Sequence, residues 1–247
     1  MIAIALFSMI SIHSKSQSKP IMKVTYKSVP YSQYQVQNND NRPEKEKGLD
    51  MALSQGHQSY FELLIDLKTL KTVYEFDTLI VEKPVGRTDQ FLSPPDKISY
   101  VFKEDANQIY KQEEIFGRKF FTYGSESDIL WDITDETKTI MGLKCQKAVS
   151  KNKTFLITAW FTKEIPVSSG PSNYSGLPGL ILLSEDFFRT ISAQKIEYPD
   201  NANLVNTKLK KLKTSYEKNK NGNESKEALF LLKKADLVKS MRRQMNN

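Results

Sequence analysis

The sequence predicts a mostly β fold: a curved antiparallel sheet or partly open barrel built as a meander, with one or two helices including one at the C-terminus. Three observations predict it. Short runs rich in Tyr, Phe, Ile and Val recur at a spacing of about ten residues, as in sheet proteins. Clusters of Gly, Pro, Asn and Asp punctuate them. Apolar spacing of helical type is concentrated near the end of the chain. The 247 residues, 39% apolar and 11% aromatic, are enough for one core, and no break in composition divides them.

The elements follow in order. Met22–Val29 alternates apolar and polar positions and reads as an opening strand. The polar stretch 35–48 reads as a loop leading to a short helix near 49–55. Tyr60–Leu67 and Thr72–Val81 form a hairpin pattern around Lys68, Thr69 and Lys71. Three prolines between Pro84 and Pro95 mark a long loop. Short strands are expected at Ile98–Lys103, Asn107–Gln112, Lys119–Tyr123 and Leu130–Thr134. Met141–Val149 and Thr154–Thr162 make the strongest pair, joined by a four-residue turn at 150–153. Leu180–Leu183 and Arg189–Glu197 complete the sheet, and Glu224–Met245 reads as a helix from Leu229, Leu232, Leu237 and Met241.

Charge is distributed unevenly. The formal net charge is +7, yet residues 207–247 hold twelve Lys or Arg against four Asp or Glu, so the rest of the chain is close to neutral. A neutral body with a basic, helical tail is not a nucleic-acid-binding face, and no nucleic acid is expected as partner. The tail is expected to be solvated.

Histidine and cysteine are scarce. With His13, His57 and Cys145 alone, Cys/His zinc sites and histidine-based nucleophilic catalysis are close to excluded, and no metal or cofactor is expected. Cys145 in mid-strand reads as a buried, inert thiol. Asp128, Asp132, Asp135 and Glu136 cluster without the spacing of a calcium loop and read as solvated turn residues.

At the N-terminus, an apolar run from Ile2 to Ile12 precedes Ser14-Lys15-Ser16, small residues in signal-peptidase spacing. Cleavage is expected after Ser16, giving a signal peptide at 1–16, a β-rich domain at 17–206 and the basic tail at 207–247. The run is shorter than the roughly 20 residues that span a bilayer, so any membrane contact is peripheral. Export to the periplasm or outer membrane is the expectation.

The densest run of special residues is Trp160-Phe161-Thr162-Lys163-Glu164-Ile165-Pro166, then Gly170-Pro171, then Gly176-Leu177-Pro178-Gly179-Leu180-Ile181-Leu182. Two glycines around Leu177-Pro178 make a stiff turn that delivers an apolar strand. Two readings stand beside each other: the glycines and proline shape a corner of the core, or Trp160, Phe161 and Tyr174 line a binding surface at the mouth of a curved sheet.

These residues resemble the GLPGLI family, uncharacterised exported proteins found mainly in Bacteroidetes. The resemblance extends through Trp131-Asp132-Ile133, Gly142-Leu143-Lys144-Cys145-Gln146-Lys147-Ala148 and Ala159-Trp160-Phe161-Thr162, and covers about residues 130–190. Leu143 stands where the family more often has Tyr, and Ser172-Asn173 replaces a position where an aromatic is common. The resemblance implies export and lineage and supplies no activity.

The expected function is non-catalytic binding of a lipid-like ligand, a peptide or an envelope partner. Two alternatives remain: an accessory factor at an outer-membrane transport system without a small-molecule pocket, and a hydrolase that uses carboxylates, or Ser with Lys, instead of histidine.

Overall fold

A computed structural model describes residues 20–30, 57–81, 96–115, 118–151, 155–186 and 189–245. Over these residues the chain runs β1 (Ile21–Pro30), β2 (His57–Asp66), β3 (Thr72–Val81), β4 (Asp96–Asp105), β5 (Gln108–Ile115), β6 (Arg118–Gly124), a 3-10 turn (Glu126–Asp128), β7 (Trp131–Ile140), β8 (Leu143–Ser150), β9 (Thr158–Thr162), β10 (Leu180–Glu185) and β11 (Arg189–Glu197). Helix α1 (Leu204–Asn219), β12 (Glu224–Lys226) and helix α2 (Glu227–Met245) follow. Residues 1–16, 49–55 and 84–95, where a signal peptide, a short helix and a long loop are expected, lie outside the described residues.

The strands form one open, curved sheet in the order β12-β6-β5-β4-β3-β2-β1-β11-β10-β9-β8-β7. It is not closed into a barrel. Every neighbouring pair is antiparallel except β12 on β6. Strand β1 is the seam: Tyr26 lies opposite Phe61 of β2 and opposite Ala193 of β11.

Alternation along the strands separates two cores, as the pleat requires. Met22, Tyr26, Leu63, Tyr74 and Val101 point to one face, where Leu180, Leu182 and Ile191 from the other half of the sheet join them. Ile21, Leu64, Val73, Phe102 and Phe121 point to the opposite face, which α1 covers with Val205, Leu209, Leu212 and Tyr216. A third cluster, Phe155, Ile157, Ala159, Phe161, Tyr174 and Ile181, extends the core to Leu231 of α2.

Between residues 207 and 236, Leu209, Leu212, Tyr216, Phe230, Leu231 and Ala235 are buried, so this stretch packs against the sheet. The expected boundary at 206/207 falls inside α1. Tyr216 packs edge-on against Phe102, Tyr110 and Phe121, and its hydroxyl donates to the carbonyl of Thr122 at 3.0 Å. The helix expected from Glu224 begins at Glu227, because residues 224–226 pair with Phe121, Thr122 and Tyr123 of β6.

Two further corrections concern β7 and β9. The acidic cluster is mostly strand: Asp132, Asp135 and Glu136 lie within β7, which continues to Ile140. The strand expected from Thr154 begins at Thr158. Ahead of it, the amide of Ile157 donates to Oγ of Ser150 at 2.9 Å, while Phe155 and Ile157 stay buried.

Candidate functional site

The segment from Trp160 to Leu180 crosses the first face of the sheet. Pro171 opens a turn in which the Tyr174 amide donates to its carbonyl at 3.2 Å, Ile165 and Val167 enter the core with β1 to β5, and Ser169 bridges to Leu180. Curvature brings β4 to it: Lys103 Nζ donates to the carbonyl of Ser168 at 2.9 Å and pairs with Glu126 at 2.8 Å. On the other side, the Tyr26 hydroxyl donates to the carbonyl of Ile181 at 2.6 Å. The segment is thus braced from β4, and the strand that follows it from β1.

Its glycines are there because backbone comes close. A Cβ on Gly179 would fall onto the carbonyl oxygen of Thr162, and one on Gly170 would lie 2.7 Å from Cβ of Ile181. Gly176 has φ +85°, a left-handed conformation that leaves its amide to donate to Oγ of Ser168 at 2.8 Å. Pro178 then directs the chain into β10. Phe161, Leu177, Tyr174 and Leu180 are buried, whereas Pro166, Gly176 and Pro178 are exposed. Trp160 is half-buried under the ammonium of Lys138, 4.0 Å from the ring centroid.

The turn also fastens the outermost strand. Trp131, at the start of β7, donates its indole N–H to the carbonyl of Ser175 at 2.8 Å, beside Gly176. Among the described residues, β7 has β8 as its one neighbour in the sheet. Leu130, Ile133 and Met141 are exposed along it.

A polar cluster that the sequence patterns did not flag lies between β5, β11, the loop at 171–174 and α2. Glu113, with no exposed surface, receives Lys111 at 3.0 Å, Arg189 at 3.2 Å and Lys234. Glu227, at the start of α2, receives Lys111 at 2.6 Å and the hydroxyl of Thr122 at 2.5 Å. Tyr174 donates to Asp186 at 2.5 Å, and Asp186 accepts the Arg189 amide at 3.1 Å. Burial pushes the Tyr174 hydroxyl well above its ordinary value, and the adjacent Asp186 carboxylate raises it further.

Three cations thus meet three carboxylates, and the cluster is neutral overall. Two spaces adjoin it, one beside Lys111, Thr122 and Glu227 and one beside Glu113, Tyr174 and Lys234, each of about 10 Å³. Each is about the size of one water molecule. The signal for this cluster was present: Lys111 and Glu113 share the strand face of Ile109, and Lys234 shares the helix face of Phe230, Leu231 and Ala235. A charge at an apolar-face position is that signal.

Other candidates resolve simply. Cys145 is buried, and burial raises its thiol pKa, the reverse of what a nucleophile needs. Asp128 accepts the amide of Ser125 at 2.8 Å, and Glu136 holds Lys147 at 2.9 Å. Among the described residues no group of His, Cys, Asp and Glu is arranged to hold a metal ion. No helix among them is long and apolar enough to cross a membrane.

A family model matches residues 149–183. Its description is "Protein of unknown function (Porph_ging)". The match spans β9, the motif segment and the start of β10, the same stretch that the glycine contacts make sterically demanding. No curated protein matches.

Among solved structures, two of a protein printed as PNGF-II are similar at 15% and 14% identity, each with a TM-score of 0.44. They cover 75% and 87% of this chain, which spans about a third of PNGF-II. An uncharacterized conserved protein from Thermus thermophilus is similar at 5% identity and a TM-score of 0.34, over 76% of this chain and 85% of that one.

Proposed function

We propose that this chain is an exported, non-catalytic protein of the bacterial envelope, of GLPGLI type, that works by contact with another protein and not by enclosing a small molecule. The observation that carries this reading is the packing among the described residues. Ile165 and Val167 fill the first face between β9 and β10, Tyr174 and Leu177 pack in the third cluster, and the polar groups near α2 bind one another around spaces of about 10 Å³. Ligand pockets are typically some 300–1,000 Å³. The self-paired charges and the buried Cys145 also weigh against a catalytic role. Export rests on the apolar run at 2–12 and the small residues at 14 and 16.

The test is native extraction from the envelope followed by lipid mass spectrometry, with in-cell cross-linking of the same preparation. The expected result is a chain beginning at Gln17, without stoichiometric lipid, cross-linked to an envelope protein. A lipid retained at one per chain would overturn the reading.

A further inference from the structure

The two edges of the sheet are treated differently. At one end, β6 is covered by the three-residue β12, and α2 follows directly, packing Phe230 against Phe120. At the other end, the ten residues of β7 have, among the described residues, a neighbouring strand on one side alone. An uncovered strand of that length presents unpaired backbone N–H and C=O groups along its outer side. Exposed Leu130, Ile133 and Met141 flank them.

The strand carries three acids against one cation, and two of the acids are met by lysines of the adjoining chain, Asp132 by Lys151 and Glu136 by Lys147 at 2.9 Å. Asp132, Asp135 and Glu136 are exposed, and Asp135 makes no ion pair among the described residues. Asp132 meets Lys151 at 3.1 Å, but both side chains are more than half exposed, so the pair is weak. The one cation on the strand, Lys138, is folded over the ring of Trp160 at 4.0 Å. Between Ile133 and Thr137 the pairing with β8 shifts register, which gives the edge a bend at its acidic part. Such a bend and such charges discourage indiscriminate pairing and leave a demand on any strand that does pair.

We propose that the outer edge of β7 is a docking edge for an extended segment of another protein in which Lys or Arg alternates with apolar residues. Main-chain hydrogen bonds add that segment to the sheet, its cations meet Asp132, Asp135 and Glu136, and its apolar residues cover Ile133 and Met141. The Trp131 to Ser175 bond holds the edge in place for it. This rests on the protein-contact reading and names the chemistry of the partner.

The test uses the full chain and three short synthetic peptides: alternating Lys and Val, alternating Glu and Val, and the Lys-Val peptide with every backbone amide methylated, so that neither of its edges can donate. Amide exchange read by NMR reports on β7, and calorimetry reports affinity. The Lys-Val peptide is expected to protect β7 amides and to bind about tenfold tighter than the Glu-Val peptide, with the difference shrinking in salt. Amide methylation should abolish protection, and the double variant D135K/E136K should reverse the charge preference. Absence of protection, equal protection by both charged peptides, or β7 amides already protected in the free protein by self-pairing would each overturn the proposal. A stoichiometric lipid in the native extract would overturn the protein-contact reading instead, without altering exchange at β7.

Discussion

The indole N–H of Trp131 and the carbonyl of Ser175 lie 2.8 Å apart, and this bond ties the open edge of the sheet to the turn at Gly176. Trp131→Phe keeps most of the ring and removes the donor. A lost hydrogen bond of this kind costs about 1 kcal/mol. The expected signature is local: amides of β7 exchange faster while those of β1 and β2 are unchanged, as hydrogen-exchange mass spectrometry would show. Uniform destabilisation would mean that the edge is not held separately.

Gly179→Ala places a methyl group on the Thr162 carbonyl, a clash that backbone movement alone can relieve. Its cost is expected at about 3 kcal/mol or more, typical of forced overpacking. Gly142→Ala is the control, because Gly142 has φ +80° but nothing within 4 Å of the added group, so only about 1 kcal/mol is expected. Urea midpoints of the two variants should differ accordingly.

Glu113 joins Lys111, Arg189 and Lys234. Glu113→Leu leaves three buried cations facing a lost carboxylate, and about 3–5 kcal/mol of destabilisation is expected. Adding Lys234→Met removes one of those cations and should recover part of the loss. Thermal melts of the single and double variants test the coupling; strict additivity would argue that the charges act independently.

Asp66 closes the β2–β3 hairpin by accepting the amides of Lys68 and Thr69 at 2.9 and 3.2 Å. Burial pushes its carboxyl pKa up, but these donors outweigh burial and hold it below the ordinary 3.8. A depressed carboxyl stabilises the fold fully above the unfolded value, and that contribution disappears as pH falls through the folded one. Asp66→Asn should therefore cost about 1 kcal/mol at neutral pH, a difference that shrinks below 3.8. Denaturation curves across acid pH provide the check.

Much of the sheet was legible because half-buried strands write their pleat into the sequence. Thr72–Val81 and Arg189–Glu197 match β3 and β11 end to end, since β-branched and aromatic residues are dense in each. Strand β7 was read too short for the converse reason. Exposed at its edge, it has little apolar face to display, and Asp132, Asp135, Glu136 and Thr137 look like turn chemistry. The packed role of α1 was hidden by its lysines, several of which pair across the sheet, as Lys208 does with Glu75 at 2.6 Å and Lys213 with Glu104. The motif segment was found from its glycines and prolines, but its meaning depends on Thr162 and Ile181 standing behind them, which spacing does not reveal. The charge cluster was the least legible part, because its members come from five separate stretches of chain.

The seam at β1 has a consequence for how the molecule is made. Tyr26 must meet both Phe61, which follows soon after it, and Ala193, which emerges far later in synthesis. A growing chain can assemble β2 to β6 as successive hairpins, yet β1 keeps one side open until β11 arrives, and closing so long a loop delays the joining step. Until then the sheet exists as two halves with sticky inner borders. Cells that produce this protein faster than that late seam can form should accumulate it in aggregates, and slowing synthesis should rescue it more effectively than strengthening any single hairpin.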